Sequence, residues 1–308
     1  MATVVTIPAP LQPRASLLRS PALALALGAL LWSGNFVAGR ALRGQIDPLT
    51  LNFLRWSIAF ALLAPFVWRR ADFAVLRREW RLILALGATG LGAFHTLVYM
   101  ALQTTTAINA LLILSLVPGA TLLGSSLFWR EPPSRWQIGG SLVSVAGAIV
   151  LITRGDITDV LARGLTPGDL WMLLGVFIWA GYSLLMRRRP ADLPPDVAMT
   201  GSAAAAVMLM APILALLTPT PLAALRPLSV LLAISYIAIF ASAIGFLLWS
   251  YGVARLGPAR AGQFIHLMPI FGAVLAFIVL GEVPTAVQIA GALLVLSGLA
   301  IFERRPSP

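Results

Sequence analysis

The sequence predicts an all-α polytopic membrane protein, with ten transmembrane helices in two inverted five-helix repeats around a central cavity. Of its 308 residues, 59% are hydrophobic and 11% are charged, whereas a soluble domain carries roughly 25% charged residues. Long apolar stretches recur from residue 17 to residue 302, so lipid is the expected solvent for most of the chain. The third observation is that the two halves of the sequence match each other.

The match between the halves is best seen where residues 107–151 align without a gap on residues 258–302, at a spacing of 151. Pro118 then falls on Pro269, and Glu131 falls on Glu282. A second set at a spacing of 147 pairs Trp32 with Trp179, Gly34 with Gly181, Pro48 with Pro195 and Pro65 with Pro212. The change of four in spacing indicates an insertion in one connection.

In chain order, we expect a disordered cytoplasmic tail at 1–19, a first repeat at 20–153, an outer linker at 154–166, a second repeat at 167–303 and a cytoplasmic tail at 304–308. The first apolar stretch follows basic residues, as a signal peptide does, but nine more spans follow it, so an uncleaved helix is expected. Each span is long enough to cross ~30 Å of hydrocarbon as a helix. The spans are predicted near 20–40, 47–68, 80–102, 105–129, 134–153, 167–187, 195–217, 227–254, 258–281 and 284–303.

The distribution of arginine predicts the orientation. With the N-terminus inside, the inner connections hold 16 arginines and the outer ones hold 5, which places both termini in the cytoplasm. The net charge of +11 is therefore explained by helix ends and not by a nucleic-acid partner. Because five helices form each repeat, the second copy is inverted relative to the first, as in many transporters.

This layout resembles the drug/metabolite transporter superfamily, in particular its EamA-type ten-helix exporters, and is closest to the YddG-like exporters of aromatic amino acids. The resemblance rests on Trp32-Ser33-Gly34-Asn35-Phe36, on Arg55, on the paired prolines and on the two Glu-x-Pro turns, and it covers residues 20–303. It implies a multi-pass carrier of the bacterial inner membrane that exports small metabolites.

Polar and aromatic side chains within the spans are the candidates for substrate binding, because intramembrane polar groups usually face a cavity or a partner helix. The predicted substrate-binding residues are Trp32, Asn35, His95, Tyr99, Gln103, Trp179, Tyr182, Phe246, Trp249, Gln263 and His266. Several have a structural alternative: Trp32 and Trp179 can fill the bundle, Trp249 can anchor at the interface, and the Asn, Gln and His side chains can bond a neighbouring helix.

Arg55 and the two paired prolines have separate interpretations. For Arg55 we favour a structural charge with a fixed partner over a contact with a substrate carboxylate. Pro118 and Pro269 each remove a backbone donor at the same depth of both repeats, so we expect a hinge or gate. The alternative is that they are packing kinks.

Apart from their ends, the predicted spans contain no acidic residue, which bears on the transport mechanism. All eleven acids are expected in connections or at span ends, so a carboxylate proton relay is not expected. We therefore expect export of small amphipathic metabolites, most of all aromatic or other large neutral amino acids, by alternating access. The transport is either uniport or coupled other than through a carboxylate.

The alternatives are an exporter of drugs or nucleosides and, in another class, a membrane-embedded lipid-modifying enzyme. An enzyme is not favoured, because neither histidine lies near an acid in the sequence. No cofactor and no metal site are expected, and the chain has no cysteine. The expected partners are a small-molecule substrate and the lipid bilayer, without nucleic acid. A monomer is the working expectation.

Overall fold

The structure is a computed structural model that describes residues 20–130, 132–152, 166–217, 225–256 and 263–302. Every regular element in these ranges is helical, which confirms the predicted all-α class. The predicted tails at both ends and most of the predicted outer linker lie outside the described residues.

We number the helical stretches that correspond to the predicted spans α1 to α10. They are α1 (Pro21–Ala41), α2 (Pro48–Val67), α3 (Trp80–Leu86, Gly87–Phe94 and His95–Ala101), α4 (Ala107–Leu114 and Val117–Trp129), α5 (Arg135–Ile152), α6 (Pro167–Met186), α7 (Pro195–Leu217), α8 (Leu228–Ser235, Tyr236–Ile244 and Gly245–Leu256), α9 (Gln263–Leu267 and Met268–Leu280) and α10 (Ala286–Phe302). A short helix, Phe73–Arg78, lies between α2 and α3.

Among the described residues, seven helices are long and apolar enough to cross a membrane, namely α1 to α4 and α6 to α8. The continuous helix of α9 has 13 residues, α10 has 17 and α5 has 18. These lengths and compositions indicate a polytopic membrane protein, and the count of ten spans stays a prediction.

The start of α2 shows how local sequence positions a functional helix. Asp47 precedes Pro48 and accepts hydrogen bonds at Oδ1 from the backbone N–H groups of Leu49 and Thr50, at 2.9 and 3.0 Å. An aspartate cap followed by a proline in the first turn is a typical helix start. The cap therefore fixes the register of α2, which carries Arg55.

Two helices contain a π-helical section at corresponding places of the two halves. These sections are Gly87–Phe94 in α3 and Tyr236–Ile244 in α8. Such sections are rare and often occur at functional sites. No sequence pattern predicted them.

The paired prolines lie where their helices are interrupted. Pro118 is in the first turn of Val117–Trp129, after a break at 115–116, and Pro269 is in the first turn of Met268–Leu280, after a 3-10 segment. A proline without an N–H fits the first turn of a helix and disrupts the turn before it. The hinge role of these prolines stays a prediction.

Helices α5 and α10 pack on each other within one chain through glycines. A Cβ added at Gly140 would lie 2.4 Å from the carbonyl oxygen of Gly298, and one at Gly147 would lie 2.8 Å from that of Gly291. The repeat alignment pairs Gly140 with Gly291 and Gly147 with Gly298, whereas in the structure Gly140 contacts Gly298 and Gly147 contacts Gly291. The matching helices of the two halves are therefore antiparallel.

An exposed ion pair joins the connection between α2 and α3 to the connection between α6 and α7. Nη2 of Arg78 lies 2.9 Å from both carboxylate oxygens of Asp192, and Nε lies 2.8 Å from Glu79 Oε1. The hydrogen bonds to Glu79 and Asp192 raise the pKa of Arg78. The two connections thus meet on the same side of the bundle.

The close approach of α5 and α10 predicts the effect of adding one methyl group. Gly140→Ala should lower the free energy of unfolding by about 1–3 kcal/mol, because the neighbouring backbone must move away. Gly139→Ala is the matched control, since an added Cβ there meets nothing within 4 Å. Thermal unfolding of the two purified variants in detergent measures the difference. Equal melting temperatures would contradict this packing.

Candidate functional site

A buried arginine on α2 is bonded to side chains of three other helices. The Arg55 guanidinium, 3% exposed, donates from Nε to Ser242 Oγ at 2.6 Å. It donates from Nη1 to the Tyr99 hydroxyl at 3.0 Å and to Asn35 Oδ1 at 3.3 Å. The Tyr99 hydroxyl itself donates to Asn35 Oδ1 at 2.7 Å. We call these four residues the Arg55 cluster, and it joins α1, α2 and α3 to α8.

The Arg55 cluster contains no carboxylate. All three side chains that accept from Arg55 are formally neutral, and Nη2 makes no hydrogen bond to a described residue. The guanidinium carbon lies 4.9 Å from the centre of the Trp56 ring, a contact worth up to ~2 kcal/mol when desolvated. Burying an unpaired charge still costs several kcal/mol. The fixed anionic partner that a structural charge would usually have is not among the described residues.

A pair of tryptophans borders the cluster on one side. The rings of Trp32 and Trp249, from α1 and α8, are 5.0 Å apart at 42°. Trp32 Nε1 donates to the carbonyl oxygen of Ala241 at 2.9 Å, next to Ser242 of the cluster. We call these two residues the tryptophan pair. Trp249 therefore contacts another aromatic ring within the bundle.

A row of aromatic rings from α2, α3 and α6 reaches the cluster through Trp56. Trp179 lies 4.5 Å from Phe94, 4.9 Å from Tyr182 and 6.3 Å from His95, between ring centres. His95 lies 5.4 Å from Trp56, the residue under Arg55. We call these five residues the aromatic row. Phe246 of α8 packs into the same apolar cluster as Trp56 and Tyr182.

The π-helical sections place carbonyl groups where side chains can reach them. In α3, Nδ2 of Asn52 lies 2.9 Å from the carbonyl oxygens of Leu91 and Gly92. In α8, the Ser242 hydroxyl donates to the carbonyl oxygen of Ile237 at 2.8 Å. Both sections thus use side chains to satisfy carbonyl groups that a membrane would leave without a partner.

A glycine in the α3 section also makes room for the aromatic row. A Cβ added at Gly90 would lie 2.3 Å from Tyr182 Cδ2. The missing side chain therefore lets the Tyr182 ring lie against the α3 backbone.

The remaining predicted site residues lie elsewhere or are not described. Gln103 accepts from the backbone N–H of Gly44 at 3.0 Å, so it binds the turn between α1 and α2. Nδ1 of His95 has no hydrogen-bond partner among the described residues. The side chains of Gln263 and His266 lie outside the described residues, so their predicted contacts stay predictions.

An ion pair connects the end of α1 to the turn between α9 and α10. Arg40 Nε lies 3.6 Å from Glu282 Oε1, and Arg40 Nη1 donates to the carbonyl oxygen of Leu102 at 2.7 Å. In the repeat alignment, Arg187 corresponds to Arg40 and Glu131 corresponds to Glu282. Arg187 Nη1 donates to Ser125 Oγ at 3.1 Å, and Glu131 lies outside the described residues.

A cavity of about 470 Å³ lies between α4, α5, α6 and α10. Its lining residues are Pro118, Thr121, Leu122, Ser125, Pro132, Gln137, Ser183 and Phe302. Of the predicted substrate-binding residues whose side chains the structure describes, none lines it. The predicted central cavity between the two halves stays a prediction.

Sequence reasoning missed three residues of this region: Asn52, Trp56 and Phe94. Asn52 and Trp56 lie one turn apart on α2, on either side of Arg55. An asparagine in an apolar span is a usable signal, because such a group needs a partner. Phe94 carries no such signal, since the apolar spans contain many phenylalanines.

A model of the EamA-like transporter family matches this chain twice, at residues 19–153 and 166–303. These ranges include every residue of the Arg55 cluster, the tryptophan pair and the aromatic row.

Several curated proteins are similar over most of the chain. "Uncharacterized transporter YyaM" of Bacillus subtilis is 29% identical over 73% of this chain and 73% of its own length. "Probable terminal-alkyne amino-acid exporter" of Streptantibioticus cattleyicolor is 29% identical over 92% and 93%. "Probable amino-acid metabolite efflux pump" of Salmonella typhimurium is 26% identical over 88% and 91%.

A solved crystal structure has the same fold. It superimposes with a TM-score of 0.64 at 24% identity, over 91% of this chain and 95% of the other. At this identity the likeness concerns the fold alone.

The contacts of Asn52 predict a loss of stability. Asn52→Ala should lower the free energy of unfolding by about 1–3 kcal/mol, because buried carbonyl groups of α3 lose their donor. Ser57→Ala on the same helix is the control, since the Ser57 hydroxyl is buried without a partner. Thermal unfolding in detergent compares the two. A control as unstable as Asn52→Ala would show that Asn52 has no special role.

Proposed function

Because the chain belongs to the EamA-like transporter family, we propose that it exports amino acids with aromatic or large apolar side chains by alternating access. Membership makes it a membrane transporter and not an enzyme, which sets aside the lipid-modifying alternative. Two of its relatives are named as an amino-acid exporter and an amino-acid metabolite efflux pump. Those names support the solute class for this chain.

The observation that carries the proposal is the position of aromatic rings around a polar cluster inside the bundle. Trp32 of the tryptophan pair donates to the carbonyl group next to Ser242, and Trp56 of the aromatic row lies under Arg55, with α6 and α8 contributing rings from the second repeat. Ring stacking is worth ~0.5–1.5 kcal/mol per aromatic partner beyond the area buried. Such surroundings suit an amphipathic solute with a flat apolar side chain and a polar head.

Alternation between two states is supported by features that occur once in each half. The proline interruptions of α4 and α9 and the π-helical sections of α3 and α8 follow the repeat. The matching helices α5 and α10 make an antiparallel contact between the halves. Two similar halves of opposite orientation supply two similar packings open to opposite sides. We propose that Arg40 and Glu282 close the outer end, and that the corresponding residues Arg187 and Glu131 close the inner end.

The cell location follows from the same proposal. The excess of arginine in alternate connections supports both termini in the cytoplasm, and the bacterial relatives support a bacterial plasma membrane. A single chain contains both repeats, so a monomer is sufficient for the proposed cycle.

A drug or nucleoside carrier is the second candidate, because the aromatic row would also accept a planar heterocycle. Counterflow in proteoliposomes with labelled Trp, Phe, Leu and Thr, with and without a proton gradient, separates the two. We expect Trp and Phe to exchange fastest, without dependence on the gradient. Folded protein that exchanges none of the four amino acids would overturn the amino-acid assignment.

The aromatic row predicts a selective loss. Trp179→Ala should weaken the apparent affinity for Trp and Phe by about 3- to 10-fold, because one stacking partner is lost. The apparent affinity for Leu should change less. The matched control is Trp171→Ala, on the same helix but exposed. Counterflow half-saturation constants give the measurement. An equal loss for all solutes would point to a packing role for Trp179.

The ion pair at the end of α1 predicts a shift between states. Glu282→Gln should raise the exposure of the outer end by about two- to fivefold, since a partly exposed pair contributes up to ~1 kcal/mol. The chain has no cysteine, so labelling of Ala38→Cys by an impermeant maleimide from outside reports the change. Asp192→Asn, which removes the exposed pair with Arg78, is the control. Unchanged labelling in Glu282→Gln would contradict a closing role.

A further inference from the structure

We propose that the Arg55 cluster binds the carboxylate of the solute, and that the site accepts amphipathic monocarboxylates whether or not they carry an ammonium group. The inference rests on the proposed function in taking this cluster as part of the transport route. It goes further by defining the solute by its carboxylate and apolar body.

The first argument is the charge of Arg55. It is buried inside the bundle, and the described acids lie at helix ends or in connections, without a hydrogen bond or ion pair to it. The described acids are Asp47, Asp72, Glu79, Asp169, Asp192, Asp196 and Glu282. An intramembrane arginine normally pairs with an anion or with carbonyl groups. A carboxylate from the solute would supply the missing anion.

The second argument is the number of unused donors. Arg55 Nη2 and Asn35 Nδ2 make no hydrogen bond to a described residue, although Asn35 Oδ1 accepts from Arg55 Nη1 at 3.3 Å. The two unused donor groups therefore belong to side chains that already touch each other. A carboxylate offers two oxygens that only accept, and guanidinium groups bind it strongly. Every acceptor of the cluster already has a donor: Ser242 Oγ and the Tyr99 hydroxyl each accept one hydrogen bond, and Asn35 Oδ1 accepts two.

The third argument comes from the second repeat. Ser202 occupies the position that corresponds to Arg55, and its hydroxyl donates to the carbonyl oxygen of Ala198 within the same helix. The corresponding helix α7 is formed without an intramembrane cation. The arginine is therefore not a requirement of the repeat fold, which favours a role toward a ligand.

The Arg55 cluster also carries charge of one sign only. Its only charged group is a cation, and no described carboxylate contacts it to receive an ammonium group. The rings of the tryptophan pair and the aromatic row suit the apolar body of the solute. Removal of the ammonium group should therefore be tolerated, whereas removal of the carboxylate should not.

Competition against labelled Trp in proteoliposomes tests this selectivity. Indole-3-propionate lacks the ammonium group, and tryptamine lacks the carboxylate. We expect indole-3-propionate to compete as well as unlabelled Trp or better, and tryptamine to compete about 10- to 100-fold more weakly. Tryptamine that competes as well as Trp would overturn the proposal.

Variants at Arg55 separate a ligand contact from a structural role. Arg55→Gln should weaken the apparent affinity for Trp and indole-3-propionate by about 10- to 100-fold and leave the apparent affinity for tryptamine unchanged. Arg55→Lys should recover part of the loss, because it keeps the charge without the planar fork. Ser202→Ala, at the corresponding position of the second repeat, is the matched control. An equal loss for all three ligands in Arg55→Gln would assign Arg55 to structure alone.

Ligand-induced thermal stabilisation keeps this inference separate from the proposed function. Purified protein in detergent should be stabilised by indole-3-propionate and not by tryptamine, and Arg55→Gln should abolish the effect. If the wild-type protein moves no amino acid but shows this pattern, the transport assignment fails and the carboxylate site stands. If it transports Trp but both ligands stabilise it equally, the carboxylate site fails.

Discussion

A guanidinium group held inside the bundle, without a carboxylate partner among the residues that the structure describes, is the constraint on which the other features depend. Arg55 donates hydrogen bonds to the neutral side chains of Asn35, Tyr99 and Ser242, and its guanidinium group lies over the Trp56 ring. In a medium of low dielectric constant these contacts reduce the desolvation penalty but leave the charge uncompensated. The cluster therefore favours an anion, and it does so where α1, α2 and α3 of the first repeat meet α8 of the second.

Backbone carbonyl groups near the cluster also need hydrogen-bond partners inside the membrane, and side chains supply them. The π-helical sections of α3 and α8 redirect carbonyl groups, and Asn52 and Ser242 donate to them. Trp32 donates to the α8 carbonyl group next to Ser242. Because lipid offers no water to replace such bonds, Asn52 and Trp32 serve the irregular backbone. Arg55, Asn35 and Tyr99 form the cluster, and Ser242 does both.

The sequence alone was enough to predict the helical class and the membrane setting, because these depend on composition and apolar periodicity. The family was predicted from the resemblance of particular motifs, such as residues 32–36 and the two Glu-x-Pro turns. The sequence was not enough for the contacts. Gln103 shares a helical face with Tyr99 by spacing, yet it binds Gly44 in a turn, because α3 ends there. The partners of Arg55 are 20 to 187 residues away in sequence. The π-helical sections have no residue signature, so the position of Tyr182 against Gly90 could not be foreseen.

The most direct test of the central claim is an experimental structure of the protein with bound indole-3-propionate. The account predicts a carboxylate oxygen within about 3 Å of Arg55 Nη2, with the indole ring against the tryptophan pair or the aromatic row. A ligand whose carboxylate lies away from Arg55, with the guanidinium contacts unchanged, would contradict it.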